Sequence, residues 1–149
     1  MENEQMRQAL REAERGESAS WVDYPPTPAW WPPLFGVWAF AVTLNFGYLD
    51  GIAGALASLV AVGCMLGLIA WQRRVRGTYP SGRAPREFRT SFIVLFGGAL
   101  VVSLAAWLVG TTVAPWVGAV VAGLGSGVLV AWYERSYARA AARVRARLG

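Results

Sequence analysis

The chain has 149 residues, 55% of them hydrophobic, and carries 14 basic and 9 acidic side chains. Its mean hydropathy of +0.36 is higher than a soluble domain of this size usually has. Charge is almost absent from residues 24–72 and 90–133, where Asp50 is the single charged residue, so these stretches are predicted to lie in lipid and a soluble protein is excluded.

The first 20 residues are polar and acidic, and they lack the basic and apolar regions of a signal peptide. The spacing of Met6, Ala9, Leu10 and Ala13 predicts a short amphipathic helix, and Gly16 is predicted to end it. This helix opens a cytoplasmic N-terminal segment that we assign to residues 1–29.

A proline- and tryptophan-rich lead-in follows the helix, with the sequence WVDYPPTPAWWPPLFGVW over residues 21–38. Its prolines are predicted to keep the approach extended at Pro25, Pro26 and Pro28 and to begin a helix at Pro32 and Pro33. Trp30 and Trp31 would then lie at the membrane interface. The alternative is that this segment is a proline-rich ligand for a partner domain.

The apolar stretches predict an all-α fold with four transmembrane helices, within a membrane domain over residues 30–133. The predicted spans are 34–49, 52–71, 91–109 and 116–133. Each approaches the roughly 20 residues that cross a bilayer, and the first, at about 24 Å, is the shortest.

Two short connections predict that the spans pair as tight helical hairpins. Asp50 can cap the second helix while Gly51 takes the turn, and Gly110 is predicted to end the third helix before Pro115 begins the fourth.

Arginine clusters predict the orientation. The central connection, 72–90, carries six arginines, and the C-terminal tail, 134–149, carries five more, whereas the short connections carry none. The positive-inside rule therefore predicts that both termini are cytoplasmic. Trp30, Trp31, Trp71 and Trp132 would lie at the inner boundary, and Trp107 and Trp116 at the outer one. Because every basic residue is arginine, which is typical of GC-rich coding, the predicted location is a bacterial cytoplasmic membrane.

Small residues recur at four-residue spacing, which is typical of faces where transmembrane helices approach closely. The candidate packing residues are Gly63, Gly67, Gly118, Ala122, Gly123, Ser126 and Gly127. Their spacing does not distinguish packing within one chain from contact between copies.

Four arginines at a spacing of four, Arg135, Arg139, Arg143 and Arg147, would line one face if the fourth helix continues beyond the membrane. This face is predicted to bind anionic lipid headgroups. Alternatively, it binds an acidic partner or the acidic N-terminal helix, whose glutamates are Glu2, Glu4, Glu12, Glu14 and Glu17. No nucleic-acid recognition pattern is visible.

Asn45, Tyr48 and Asp50 form a polar group near the end of the first span. They are a candidate polar entrance for an ion or proton, since polar groups in membrane spans are often functional. The alternative is structural, with Asp50 capping a helix and Asn45 bonding across helices.

The residue inventory does not favour catalysis. The chain has no histidine, no carboxylate pair within the spans and a single cysteine, Cys64, so we predict no catalytic residues, no cofactor and no metal site. The predicted function is association, as an accessory or scaffold subunit or as a self-associating membrane protein. The alternative is a homo-oligomeric channel, holin-like pore or small transporter.

Overall fold

The structure is a computed structural model that describes residues 5–7, 9, 12, 16, 19, 21–22, 25, 27–76 and 85–148. Throughout these residues every regular element is helical, which confirms the predicted all-α class. Three of the helices are long and apolar enough to cross a membrane, over Gly51–Val75, Arg86–Thr112 and Pro115–Arg147.

The first two long helices are α1 (Trp31–Tyr48) and α2 (Gly51–Arg76). Pro32 and Pro33 occupy the first turn of α1, where their missing N–H groups leave no carbonyl without a partner, so this prediction is confirmed. Gly51 takes the turn with φ of +60°, a conformation that side chains with a Cβ rarely adopt. Helix α1 begins three residues before the predicted span, and α2 continues five residues beyond it.

The other two are α3 (Arg89–Thr112), which follows a short 3₁₀ turn at Arg86–Phe88, and α4 (Pro115–Leu148). Pro115 is the first residue of α4, as predicted. With 34 residues, α4 is about 51 Å long, so it extends about 20 Å beyond a hydrocarbon core. The predicted continuation of the fourth span into the arginine-rich tail is therefore confirmed as one helix.

Gly110 does not end the third helix, and this prediction was wrong. The helix continues through Thr112, where the hydroxyls of Thr111 and Thr112 donate to the carbonyl oxygen of Leu108 at 3.0 and 2.7 Å. The backbone N–H of Val113 donates to the Val109 carbonyl at 2.9 Å. The Val113 bond satisfies one carbonyl of the last turn that would otherwise be left to water.

Two other predicted boundaries also differ from the structure. Gly16 does not end the N-terminal helix, because Gly16, Ala19, Trp21 and Val22 are all helical and Gly16 does not take a left-handed conformation. The predicted loop 72–90 is shorter, since Arg76 still belongs to α2 and Arg86 already begins the 3₁₀ turn. Residues 77–84 lie outside the described part, as do Leu10, Ala13 and Pro26.

Helix α4 is the centre of the packing. It makes extensive contacts with α1 on one side and with α3 on the other, whereas α2 makes its extended contact with α1 and that contact is much smaller. Large apolar side chains point outward along all of these helices, among them Ile52, Leu59, Phe96 and Leu124, each at least 68% exposed. Such a surface is suited to lipid rather than to water.

Candidate functional site

The space beside the glycines of α4 is occupied by neighbouring helices of the same chain. A Cβ added to Gly118 would lie 2.5 Å from the carbonyl oxygen of Ala106 and 2.7 Å from the Cα of Gly110, both in α3. One added to Gly123 would lie 3.0 Å from the Gly36 carbonyl oxygen in α1. Only glycine permits these backbone approaches.

The remaining candidate positions of α4 follow the same pattern. A Cβ at Gly127 would lie 3.3 Å from the carbonyl oxygen of Pro32, Ala122 is 5% exposed, and Ser126 is partly buried. Gly36 was not among the predicted packing residues, although a Cβ added to it would lie 2.8 Å from the Gly123 carbonyl oxygen. The residues four positions before and after Gly36 are not small, so the four-residue spacing does not identify it. The one available signal is a glycine among the large apolar residues of this helix.

Gly63 and Gly67 of α2 are different, because nothing lies within 4 Å of a Cβ added at either position. Both are exposed, as is the adjacent Cys64. We call Gly63 and Gly67 the open α2 face. The structure therefore separates the predicted packing residues into a set on α4 that is used within the chain and a pair on α2 that is not.

Helix α2 is held to α1 by side-chain hydrogen bonds. The Asn45 amide nitrogen donates to the Gly54 carbonyl at 3.2 Å and to the Ser58 hydroxyl at 2.8 Å, and the Trp38 indole donates to the Ala61 carbonyl at 3.0 Å. In lipid, such bonds join helices that have no hydrophobic drive to associate. Asn45 thus bonds across helices, the structural alternative raised by the sequence.

Two of the three residues of the candidate polar entrance line one groove. Asn45 and Tyr48 line a groove of about 590 Å³ between α1 and α2, whose other lining side chains are apolar, and Asp50 is not among the lining residues. Tyr48 and Asp50 are exposed, and Asp50 accepts a bond from Gly54 N–H through its backbone carbonyl. An apolar groove of this kind provides few groups to replace the hydration shell of an ion.

We expect Asn45→Ala to weaken the α1–α2 contact by about 1 kcal/mol, the size of an interhelical hydrogen bond in a membrane. The free energy of unfolding in mixed micelles measures this effect. Ser58→Ala is the matched control, because it removes one partner and leaves the bond to Gly54. An Asn45→Ala protein that is as stable as the parent would contradict this role.

A compact apolar core lies at the arginine-rich end of the molecule. Its buried members are Val22, Phe88, Ala140, Ala141 and Val144. We call this set the arginine-end core. Phe88 and Val144 are fully buried, whereas the spanning helices are packed mainly through glycine and alanine.

The N-terminal segment contributes directly to this core. The ring of Trp21 lies 5.7 Å from that of Phe88 and 6.1 Å from that of Phe92. Its carbonyl accepts a hydrogen bond from the Tyr137 hydroxyl at 2.7 Å, and the Val22 carbonyl accepts one from Arg145 at 2.6 Å. Residues more than 100 positions apart in sequence thus fix the segment to α4.

All four residues of the predicted arginine row are exposed, and they share one helix as expected. Arg147 forms an ion pair with Glu87 at 3.1 Å, which ties the end of α4 to the 3₁₀ turn. Arg145, which does not belong to this row, donates a hydrogen bond to the N-terminal segment. Pairing of the row with the acidic helix stays a prediction, since Glu2, Glu4, Glu14 and Glu17 lie outside the described residues.

We expect Trp21→Ala to release the N-terminal segment. The side chain is partly buried, so the free energy that holds the segment to the core should fall by about 2 kcal/mol, less than the ~3–5 kcal/mol lost when a fully buried tryptophan is replaced by alanine. Limited proteolysis of the segment should then accelerate by more than about tenfold. Trp30→Ala is the control because Trp30 is 44% exposed and lies outside the core. Equal proteolysis rates in the two variants would refute the docking.

Tryptophans cluster at this same end. The rings of Trp30 and Trp31 lie 5.9 Å apart, and Trp30 lies 6.4 Å from Trp71 of α2. Trp107 and Trp116 lie near the opposite end, beside the α3–α4 turn, and are 67% and 57% exposed. Two aromatic belts at membrane interfaces, as predicted from the sequence, would have this distribution.

Comparisons with models of protein families, with curated protein sequences and with solved structures find no match for this chain.

Proposed function

We propose that the chain is a four-span membrane protein, with α1 as the fourth span beside the three longer helices. At 18 residues, α1 is about 27 Å long, close to the thickness of a hydrocarbon core. Its extensive contact with α4 supports this placement, because a helix packed along a spanning helix shares its surroundings. The Trp30–Trp31 pair would supply the remaining length at the interface.

We place the arginine-rich end in the cytoplasm. Arg73, Arg74 and Arg76 close α2, Arg86 and Arg89 open the next helical stretch, and five more arginines lie in the extension of α4. The two turns at the other end contain Asp50 and no basic residue. By the positive-inside rule, both termini are cytoplasmic, and arginine-only usage favours a bacterial inner membrane.

The function that this arrangement supports best is association within the membrane, with the open α2 face as the contact between copies. The observation that carries it is the contrast between glycines: a Cβ added to those of α4 would meet other helices of the same chain, whereas one added to Gly63 or Gly67 would meet no described residue within 4 Å. Glycine lowers the stability of a helix. Two glycines on one face with empty space beside them are therefore best explained by another helix that packs closely against that face.

A second copy of this chain fits the open α2 face better than an unrelated helix. A two-fold contact brings the same patch of each copy together, and two glycine faces permit the close backbone approach that such a contact needs. Helix α2 also has most of its circumference free for a neighbour, since its extended contact is with α1 alone among the described helices.

Native mass spectrometry of the protein in mild detergent tests this function. We expect a defined homo-oligomer without other stoichiometric polypeptides. A protein that is monomeric in both detergent and lipid nanodiscs would contradict self-association, and a stoichiometric complex with a different membrane protein would replace it with an accessory-subunit role.

A further inference from the structure

A cavity of about 780 Å³ opens at the arginine-rich end, between the end of α2, the extension of α4 and the N-terminal segment. It is separate from the open α2 face. Its size falls within the range of small-molecule sites. From the residues that line it, we infer that it binds the phosphate headgroup of an anionic phospholipid.

The charge of the lining favours an anion. Arg73 of α2 and Arg135 and Arg145 of α4 line the cavity, against the single acidic side chain Glu134 among its described lining residues. Guanidinium groups present several N–H donors in a fixed plane that matches the oxygen atoms of a phosphate. Because these arginines come from two helices, they can contact one phosphate from two directions.

A second observation points to a missing acceptor. Gln72 also lines the cavity, and its side-chain amide nitrogen is buried without a hydrogen-bond partner among the residues that the structure describes. Buried donors in proteins nearly always have a partner. A phosphate oxygen in the cavity is an acceptor of the kind that this amide lacks.

The rest of the lining favours a lipid over a free anion. Aromatic and aliphatic side chains make up most of the wall, among them Trp21, Trp31, Phe92, Tyr133 and Ile69. Such a wall suits the glycerol and upper acyl region of a lipid whose headgroup meets the arginines. This inference rests on the proposed membrane placement, where the cavity lies at headgroup level, and is independent of self-association.

Titration of phosphatidylglycerol into the full-length protein in neutral detergent, followed by native mass spectrometry, tests the site. We expect about one retained lipid per chain and at least about a tenfold loss of affinity in the Arg73→Gln/Arg135→Gln variant. The matched control is Arg74→Gln/Arg89→Gln, which removes two exposed arginines at the same end of the molecule that lie outside both the cavity and the arginine row. The control should stay within about twofold of the parent. Circular dichroism should show equal helicity for both variants.

Several results would overturn the site. Equal losses in the two variants would indicate diffuse attraction, and retention of phosphatidylcholine equal to that of phosphatidylglycerol would remove the charge requirement. Displacement of the lipid by millimolar inorganic phosphate would make free phosphate the ligand, and displacement by polyglutamate alone would make it an acidic protein segment. The same spectrum counts lipids and chains separately, so failure of the lipid site is distinguishable from failure of self-association.

Discussion

Replacing Gly63 and Gly67 with isoleucine is expected to convert the associated protein to monomers. Two branched side chains would hold a neighbouring helix away from the open α2 face, where glycine lets the backbones approach closely. Among the described residues, no other part of the chain lies within 4 Å of a Cβ at either position, so the fold of each copy should be preserved. We expect the dissociation constant, measured by sedimentation equilibrium in micelles, to rise by at least about tenfold, or ~1.4 kcal/mol.

Gly97→Ile is the matched control for this experiment. Gly97 lies in α3, is exposed and has no described residue within 4 Å of an added Cβ, so the substitution adds one isoleucine to a different outward surface. It should leave the dissociation constant unchanged. If Gly97→Ile disrupted the oligomer and the α2 substitutions did not, the contact would belong to α3.

Gly118→Val is expected to destabilise the chain itself, by about 3 kcal/mol or more. The added Cβ would meet the Ala106 carbonyl oxygen and the Gly110 Cα, which are backbone atoms and cannot rotate away, so α3 and α4 would have to separate. Overpacking of this kind typically costs ~1–3 kcal/mol, and occasionally more where backbone must move.

Loss of helicity during unfolding in mixed micelles measures that change. Gly63→Val is the comparison within the same protein, since its side chain would enter open space and the small difference in helix propensity favours valine, so its stability should not fall below that of the parent. Similar losses of stability for Gly118→Val and Gly63→Val would contradict the distinction between glycines that face another helix of the chain and glycines that face open space.

Local features of the sequence predicted much of the helical layout. Two kinds of prediction were correct: that a helix begins at Pro32 and Pro33 and another at Pro115, and that Gly51 takes the turn. Each depends on the conformation of only one or two residues. Gly110 was misassigned because a glycine ends a helix only where it takes a left-handed conformation, and here it stays helical and the helix continues to Thr112.

Features set by distant contacts could not be predicted in the same way. The small residues of α2 and α4 have similar spacing, and only the rotation of each helix against its neighbours decides which are filled. Likewise, the docking of Trp21 and Val22 joins residues 21–22 to Tyr137 and Arg145. Neither periodicity nor charge pattern at the N-terminus indicates that contact.

The two ends of helix α4 differ in how they pack. Helix α4 packs against α1 and α3 through glycine along its apolar part and carries the arginine-end core along its arginine-rich extension. Helix α2 stays at the side, held by Asn45 and Trp38. This leaves α2 available for a neighbouring copy without disturbing the core.

The distance between Cys64 residues in neighbouring copies tests the central claim most directly. Cys64 is the single cysteine, is exposed and adjoins Gly63, so one spin label per chain reports on the open α2 face. In lipid nanodiscs we predict a defined distance below about 25 Å by pulsed electron resonance, since packed helix axes lie ~8–10 Å apart and the label arms add the rest. Dilution with Cys64→Ser protein should remove that signal. A protein whose labels behave as isolated spins, or lie well beyond that distance, would contradict association through α2.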